Sequence, residues 1–265
     1  MKRGNAFKIA ISIVLAIAVL WLALLSFAFI YTYRFNSDLR ANERQDVFVA
    51  GTPILKKNIY DVLGDGTVMY DNVSHKLTLC GAVIECEGPA ISSQRDLTVE
   101  LIGENKFICT GDNAVAVYAS DGMLRKHLSF EGDGTLAIEV EGSASTCGIV
   151  ADDLWIGSDI SISLSDGEVY STGIECSFLH LDNDRQVSVK AGAAEETMGI
   201  YVRGDMTLQE NSVLNMDGSI LCTGTLTAME NATIHGDDVR CGVFYDYGAE
   251  VDSEIDAVSG IRNMK

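Results

Sequence analysis

Proline is nearly absent from this chain, with two in 265 residues, and beyond Tyr60 no stretch of ten or more residues has helical spacing. Basic residues are scarce as well: 19 Lys and Arg stand against 38 Asp and Glu, a formal net charge of -19. That balance argues against a nucleic-acid partner, which needs a basic footprint to neutralise phosphates. The seven cysteines show no CxxC spacing, which argues against a zinc site. With 47% apolar and 22% charged residues, wholesale disorder is excluded.

Charge is missing altogether from Ile9 to Ile30, where Ser12 and Ser26 are the only hydroxyl residues. As a helix this segment rises roughly 33 Å and matches a hydrocarbon core of about 30 Å. Lys2, Arg3 and Lys8 precede it, whereas Arg34, Asp38, Arg40, Glu43 and Arg44 after it mix both signs. The positive-inside rule then predicts a cytoplasmic N-terminus over 1–8, a transmembrane helix over 9–30 and the remainder outside the cell. Tyr31 and Tyr33 stand where an interfacial anchor belongs. On this reading the protein is a single-pass component of the cell membrane. The alternative is a signal peptide cleaved near Ser26-Phe27-Ala28, although the apolar run exceeds the roughly 7–15 residues usual for one. Either way the bulk of the chain is exported, and its acidity repels polyanions.

Residues 31–58 read as a stalk of mixed charge, and 259–265 as a C-terminal tail. Between them, over 59–258, short alternating segments are separated by Gly, Asp and Asn, the mark of strands. The segments recur. Ile91, Val117, Ile149, Ile174, Ile200, Ile220 and Val243 occupy equivalent places at intervals of roughly 20–32 residues. Each is followed by a second segment, such as Leu97-Thr98-Val99, Leu154-Trp155-Ile156 or Leu179-His180-Leu181, and several then by a third that closes on glycine. Three strands per repeat predict an all-β fold, a parallel β-helix of about seven coils in which stacked coils share one core. Its hand is taken as right from the chirality of parallel crossovers. A β-sandwich is the alternative, but it does not repeat three strand types in fixed order.

The opening of this region, Asp61-Val62-Leu63-Gly64-Asp65-Gly66-Thr67-Val68 with Tyr70-Asp71, Leu77-Thr78-Leu79 and Ala82-Val83-Ile84, carries a resemblance. It is similar to the start of the repetitive β-helical surface domains of anaerobic gut bacteria, often labelled carbohydrate-binding domain-containing proteins. Gly199 to Leu208 resembles that family's coils. The likeness spans roughly 58–250 by the repeat criterion. It implies a non-catalytic role in carbohydrate recognition and supplies no catalytic residue.

On the repeat, Cys86 and Cys109 align on consecutive coils with Val140, Met216 and Ile234, at a Cα spacing a disulfide can bridge, although parallel in-register side chains make poor bridge geometry. Cys147, Cys176, Cys222 and Cys241 are expected inward, none beside another cysteine, as free core thiols. Catalytic chemistry is not expected. Asp152-Asp153 and Asp237-Asp238 are adjacent carboxylates without the paired environments that separate an acid from a base. His75, His127, His180 and His235 are scattered, which predicts no metal and no cofactor. One position after the inward ladder, alternation turns Ser92, Tyr118, Val150, Glu175, Tyr201, Leu221 and Phe244 outward. Tyr118, Tyr201, Leu221 and Phe244 are therefore the candidate ligand-binding residues, for a neutral glycan or a protein. A ladder that merely supports the sheet is the plainer reading of the same column. A self-associating envelope protein is the alternative function, and a polysaccharide-degrading enzyme a third.

Overall fold

A computed structural model describes residues 44–120 and 125–263. The segment 9–30 lies outside them, as does the N-terminus before it. Among the described residues there is no helix at all, and so none that is long and apolar enough to cross a membrane. The protein is all-β there, with 24 strands in one sheet.

The strands run as follows. First come β1 (Arg44–Val49), β2 (Thr52–Leu55), β3 (Val68–Asp71) and β4 (Lys76–Cys80). Next are β5 (Val83–Glu87), β6 (Ile91–Ser93), β7 (Leu97–Ile102), β8 (Glu104–Thr110), β9 (Asn113–Ala119) and β10 (His127–Glu131). They continue with β11 (Thr135–Glu141), β12 (Ser145–Ala151), β13 (Asp153–Ile156), β14 (Asp159–Leu164), β15 (Tyr170–Cys176) and β16 (Phe178–Leu181). The last are β17 (Gln186–Lys190), β18 (Glu196–Val202), β19 (Met206–Leu208), β20 (Val213–Asp217), β21 (Ser219–Ala228), β22 (Thr233–Asp246), β23 (Glu250–Ala257) and β24 (Ile261–Asn263). From β4 to β17 each strand pairs in parallel with the strand three places later, as β9 with β12 and β12 with β15. Toward the end β21 and β22 each span more than one segment type, because the breaks between segments have shrunk to bulges.

Stacking in register puts like over like. Ile91, Val117, Ile149, Ile174, Ile200 and Ile220 pair successively, and each is fully buried. The ladder continues to Val239 and Ile255. A second runs Leu97, Leu128, Leu154, Leu179, Met206, Leu226 and Phe244. Burying each such side chain contributes about 1.5–3 kcal/mol relative to leaving it in water, which no single repeat achieves alone. Asn105 breaks the apolar rule in its column and is buried. Its Oδ1 accepts from the Ala82 backbone N–H at 2.9 Å and its Nδ2 donates to the Gly103 carbonyl at 3.2 Å, so the buried amide is satisfied.

Three expectations shift. Residues 44–54 are not stalk: β1 lies antiparallel on β6, with Val49 opposite Ile91, and Val47 and Val49 are buried. The C-terminal tail is likewise structured, because β24 pairs with β22 and sets Ile261 beside Phe244. The aligned third-segment column slips by two residues twice. Cys86, Cys109, Val140 and Leu164 share one column, Val189 and Met216 fall in the next with Ile138 and Ile162, and Ile234 pairs with Leu214. A slip of two preserves the side of the sheet, so all of these still point inward.

Candidate ligand-binding surface

The anticipated outward column is present in part. Tyr118, Val150, Glu175, Tyr201 and Leu221 pair in register on β9, β12, β15, β18 and β21. Phe244 does not belong to it. The neighbour of Leu221 is Arg240, whereas Phe244 pairs with Leu226 and is buried. The cause is a shortened repeat: Val239, not Val243, stacks on Ile220, and Gly242-Val243-Phe244 only imitates the Gly-Ile pattern of earlier coils. Nor is the column a continuous apolar strip. Glu175 forms an ion pair with Arg203, whose guanidinium carbon lies 5.9 Å from the centre of the Tyr201 ring, and the Tyr170 hydroxyl donates to Glu175 at 3.3 Å. Burial pushes the Tyr170 phenol up to about 12, with the Glu175 charge assisting, so it remains a neutral donor. Of the four candidates, Tyr118 is exposed while Tyr201 and Leu221 are half-buried. The structure therefore brings three of them onto one line and inserts a charge pair in the middle.

A better-formed surface lies on the next face. There Thr98, Ser129, Trp155, His180, Thr207, Thr227 and Tyr245 form an outward column. Trp155 and His180 stack, with ring centres 3.8 Å apart and planes inclined by 34°, and the indole is 40% exposed. Within this column Ser129 is itself covered, and it gives its hydroxyl proton to Thr98 Oγ1 at 3.0 Å. Two carboxylates flank the stack. Asp153 is held by Arg125 at 3.3 Å and by His127 at 3.5 Å, while Asp182 stands 4.0 Å from His180 Nε2. Arg125 also covers the Phe178 ring at 3.8 Å. The alternation in Leu154-Trp155-Ile156 already turns the indole outward, so its signal was present in the sequence.

Burial lowers the His180 pKa below the ordinary histidine value, against the opposing pull of Asp182 and Asp153. The folded state thus prefers the neutral ring. Above the ordinary value both folded and unfolded chains are neutral there. As pH falls through it the unfolded chain takes the proton first, and stability declines. Chemical denaturation between pH 7.5 and 5.5 is expected to show this loss, reduced in His180→Phe. An equal slope in both chains would contradict it.

The adjacent aspartates are committed to structure. Asp152 accepts from Ser120 Oγ at 2.9 Å and from the Lys126 N–H at 3.1 Å, and Asp237 accepts from the Gly218 N–H at 3.0 Å. Asp238 binds Arg240 at 2.7 Å. Cys86 and Cys109 are free thiols with their sulfurs 3.7 Å apart. Burial holds Cys147 and Cys222 up at about 12 and raises Cys176 and Cys241 as well, so none of these is a nucleophile at neutral pH. Cys222 and Cys241, expected apart, are register partners because of the shortened repeat. Among the described residues no group of three or more His, Cys, Asp or Glu side chains is placed to hold a metal ion. An open depression of about 490 Å³ on the third face is lined by Ser161, Ser163, Ser188 and His235 among others, without a Trp, Tyr or Phe side chain. Compared with protein-family models, curated proteins and solved structures, the chain gives no match in any of the three.

Proposed function

We propose that this chain is a membrane-anchored, non-catalytic recognition protein whose extracellular part is a right-handed parallel β-helix that binds a neutral glycan on Trp155. The parallel i-to-i+3 strand pairings and the continuous isoleucine ladder support the β-helix. The charge-free run over 9–30 supports the anchor. The observation that carries the glycan reading is the Trp155–His180 stack. The indole, 40% exposed, offers apolar ring surface to the C–H face of a sugar, and Asp153 and Asp182 beside it accept hydrogen bonds from sugar hydroxyls. A net charge of -19 favours neutral over acidic polysaccharides.

The test is a glycan array of neutral and acidic polysaccharides probed with the full-length chain in mild detergent. Neutral glycans are expected to bind, and Trp155→Ala to weaken them roughly tenfold, the equivalent of about 1.4 kcal/mol. Tyr118→Ser serves as the comparison on the neighbouring face and is expected to leave binding intact. Equal binding by Trp155→Ala and the parent chain removes the stack as the site.

A further inference from the structure

The two ends of the described sheet differ. At the start, β1 lies antiparallel on β6 and β3 antiparallel on β4. At the other end β23 pairs with β22 alone, so one edge of its backbone N–H and C=O groups faces no strand among the described residues. Such an edge is a template for another strand. In Glu250-Val251-Asp252-Ser253-Glu254-Ile255-Asp256-Ala257 the four carboxylates are exposed, while Val251, Ile255 and Ala257 pack on the core and remain half-covered. Among the described residues His235 approaches Asp252 at 3.7 Å, and no ion pair reaches Glu250, Glu254 or Asp256. Ile261 and Val258 beside this edge are exposed apolar side chains.

A second copy of the chain fits this edge poorly. Tail to tail, antiparallel β23 strands set carboxylate against carboxylate, and like charges directly opposite are destabilising. Head to tail, the Glu250–Asp252 half of β23 lies over the β5 column, beside the outward Glu85 and Glu87, and the Glu254–Ala257 half lies over the β6 column, whose other side β1 already occupies. A strand of opposite charge has neither conflict. We propose that β23 takes up an extended basic segment of another protein as an added strand. Its Lys or Arg side chains lie along Glu250, Asp252, Glu254 and Asp256, and its intervening apolar side chains cover Val251 and Ile255. Backbone pairing supplies the affinity and the charge pattern selects the partner. The edge is a different surface from Trp155, so this proposal stands or falls separately from the glycan reading.

The probe is a fluorescent eight-residue peptide of alternating Lys and Val, titrated into the full-length chain in non-ionic detergent. Saturable binding that weakens with added salt is expected. The double variant Glu250→Lys with Glu254→Lys, both at exposed positions, is expected to lose roughly tenfold or more in affinity. An alternating Glu and Val peptide should then bind that variant better than it binds the parent chain. Absence of saturable binding overturns the proposal. So does equal binding of a Lys–Pro peptide, which lacks half the backbone donors and would show that charge alone suffices. Self-association of the parent chain through β23 at neutral pH, seen by light scattering and abolished in the double variant, overturns it as well.

Discussion

Substitution of Gly173 by alanine is expected to lower the melting temperature of the full-length chain by roughly 6–12 °C, for a loss of about 3 kcal/mol. A Cβ built on Gly173 falls 2.2 Å from Val189 Cγ1 and 2.6 Å from the Gly199 carbonyl oxygen. Neither neighbour can step aside cheaply. Val189 is buried in the third-segment ladder between Ile162 and Met216, and the Gly199 backbone belongs to the next strand of the stack. Gly148, Gly173 and Gly199 share one column, and Gly148 is just as crowded, 2.5 Å from the Gly173 carbonyl. The recurring Gly-Ile pair therefore has a steric origin: the glycine lets successive strands and the facing segment close over the isoleucine. Thermal unfolding of the parent chain and Gly173→Ala is the measurement, and equal midpoints would refute the steric account.

Phe130→Ala is expected to cost about 3–5 kcal/mol, at least as much as the glycine substitution. Phe130 is fully buried between Val99 on one side and Ile156 on the other, both fully or almost fully buried. Truncation leaves a cavity that the flanking strands, fixed by their own pairings, cannot collapse to fill. Phe130→Leu keeps most of the volume and is expected to cost under about 1.5 kcal/mol. Urea unfolding of the three chains checks both figures. If alanine and leucine prove equally mild, the ladder is not a close-packed column.

The alternation of apolar side chains and the recurring Gly-Ile pair made the isoleucine ladder from Ile91 to Ile220 legible, because a register error of one would turn every member to water. An error of two carries no such penalty. That is why the apolar pattern places Met216 and Ile234 in the wrong columns yet on the correct side. The final repeat misled more seriously. Val243 follows a glycine as the earlier ladder residues do, but the loop that separates segments elsewhere has shortened to a bulge between His235 and Asp238. The ladder place moved to Val239, Phe244 went inward, and Cys241 came beside Cys222. Loop length leaves only a faint trace in apolar periodicity. The Arg44–Val49 strand was hidden for a different reason: it pairs antiparallel and stands outside the repeat. Trp155 is legible as an outward position, but the alternation gives its column no distinction from the one beside the isoleucine ladder.

The antiparallel strands at one end have a consequence for biosynthesis. Polypeptides emerge from the ribosome N-terminal part first, so β1 to β4 are available before any later repeat. Apart from β6, which reaches back to β1, each newly translated segment then pairs with strands made only two or three dozen residues before it. Vectorial growth of this kind avoids the slow search that distant pairings impose. It also means that the adhesive rim advances with the nascent chain, and that the rim formed by β23 carries mutually repelling carboxylates.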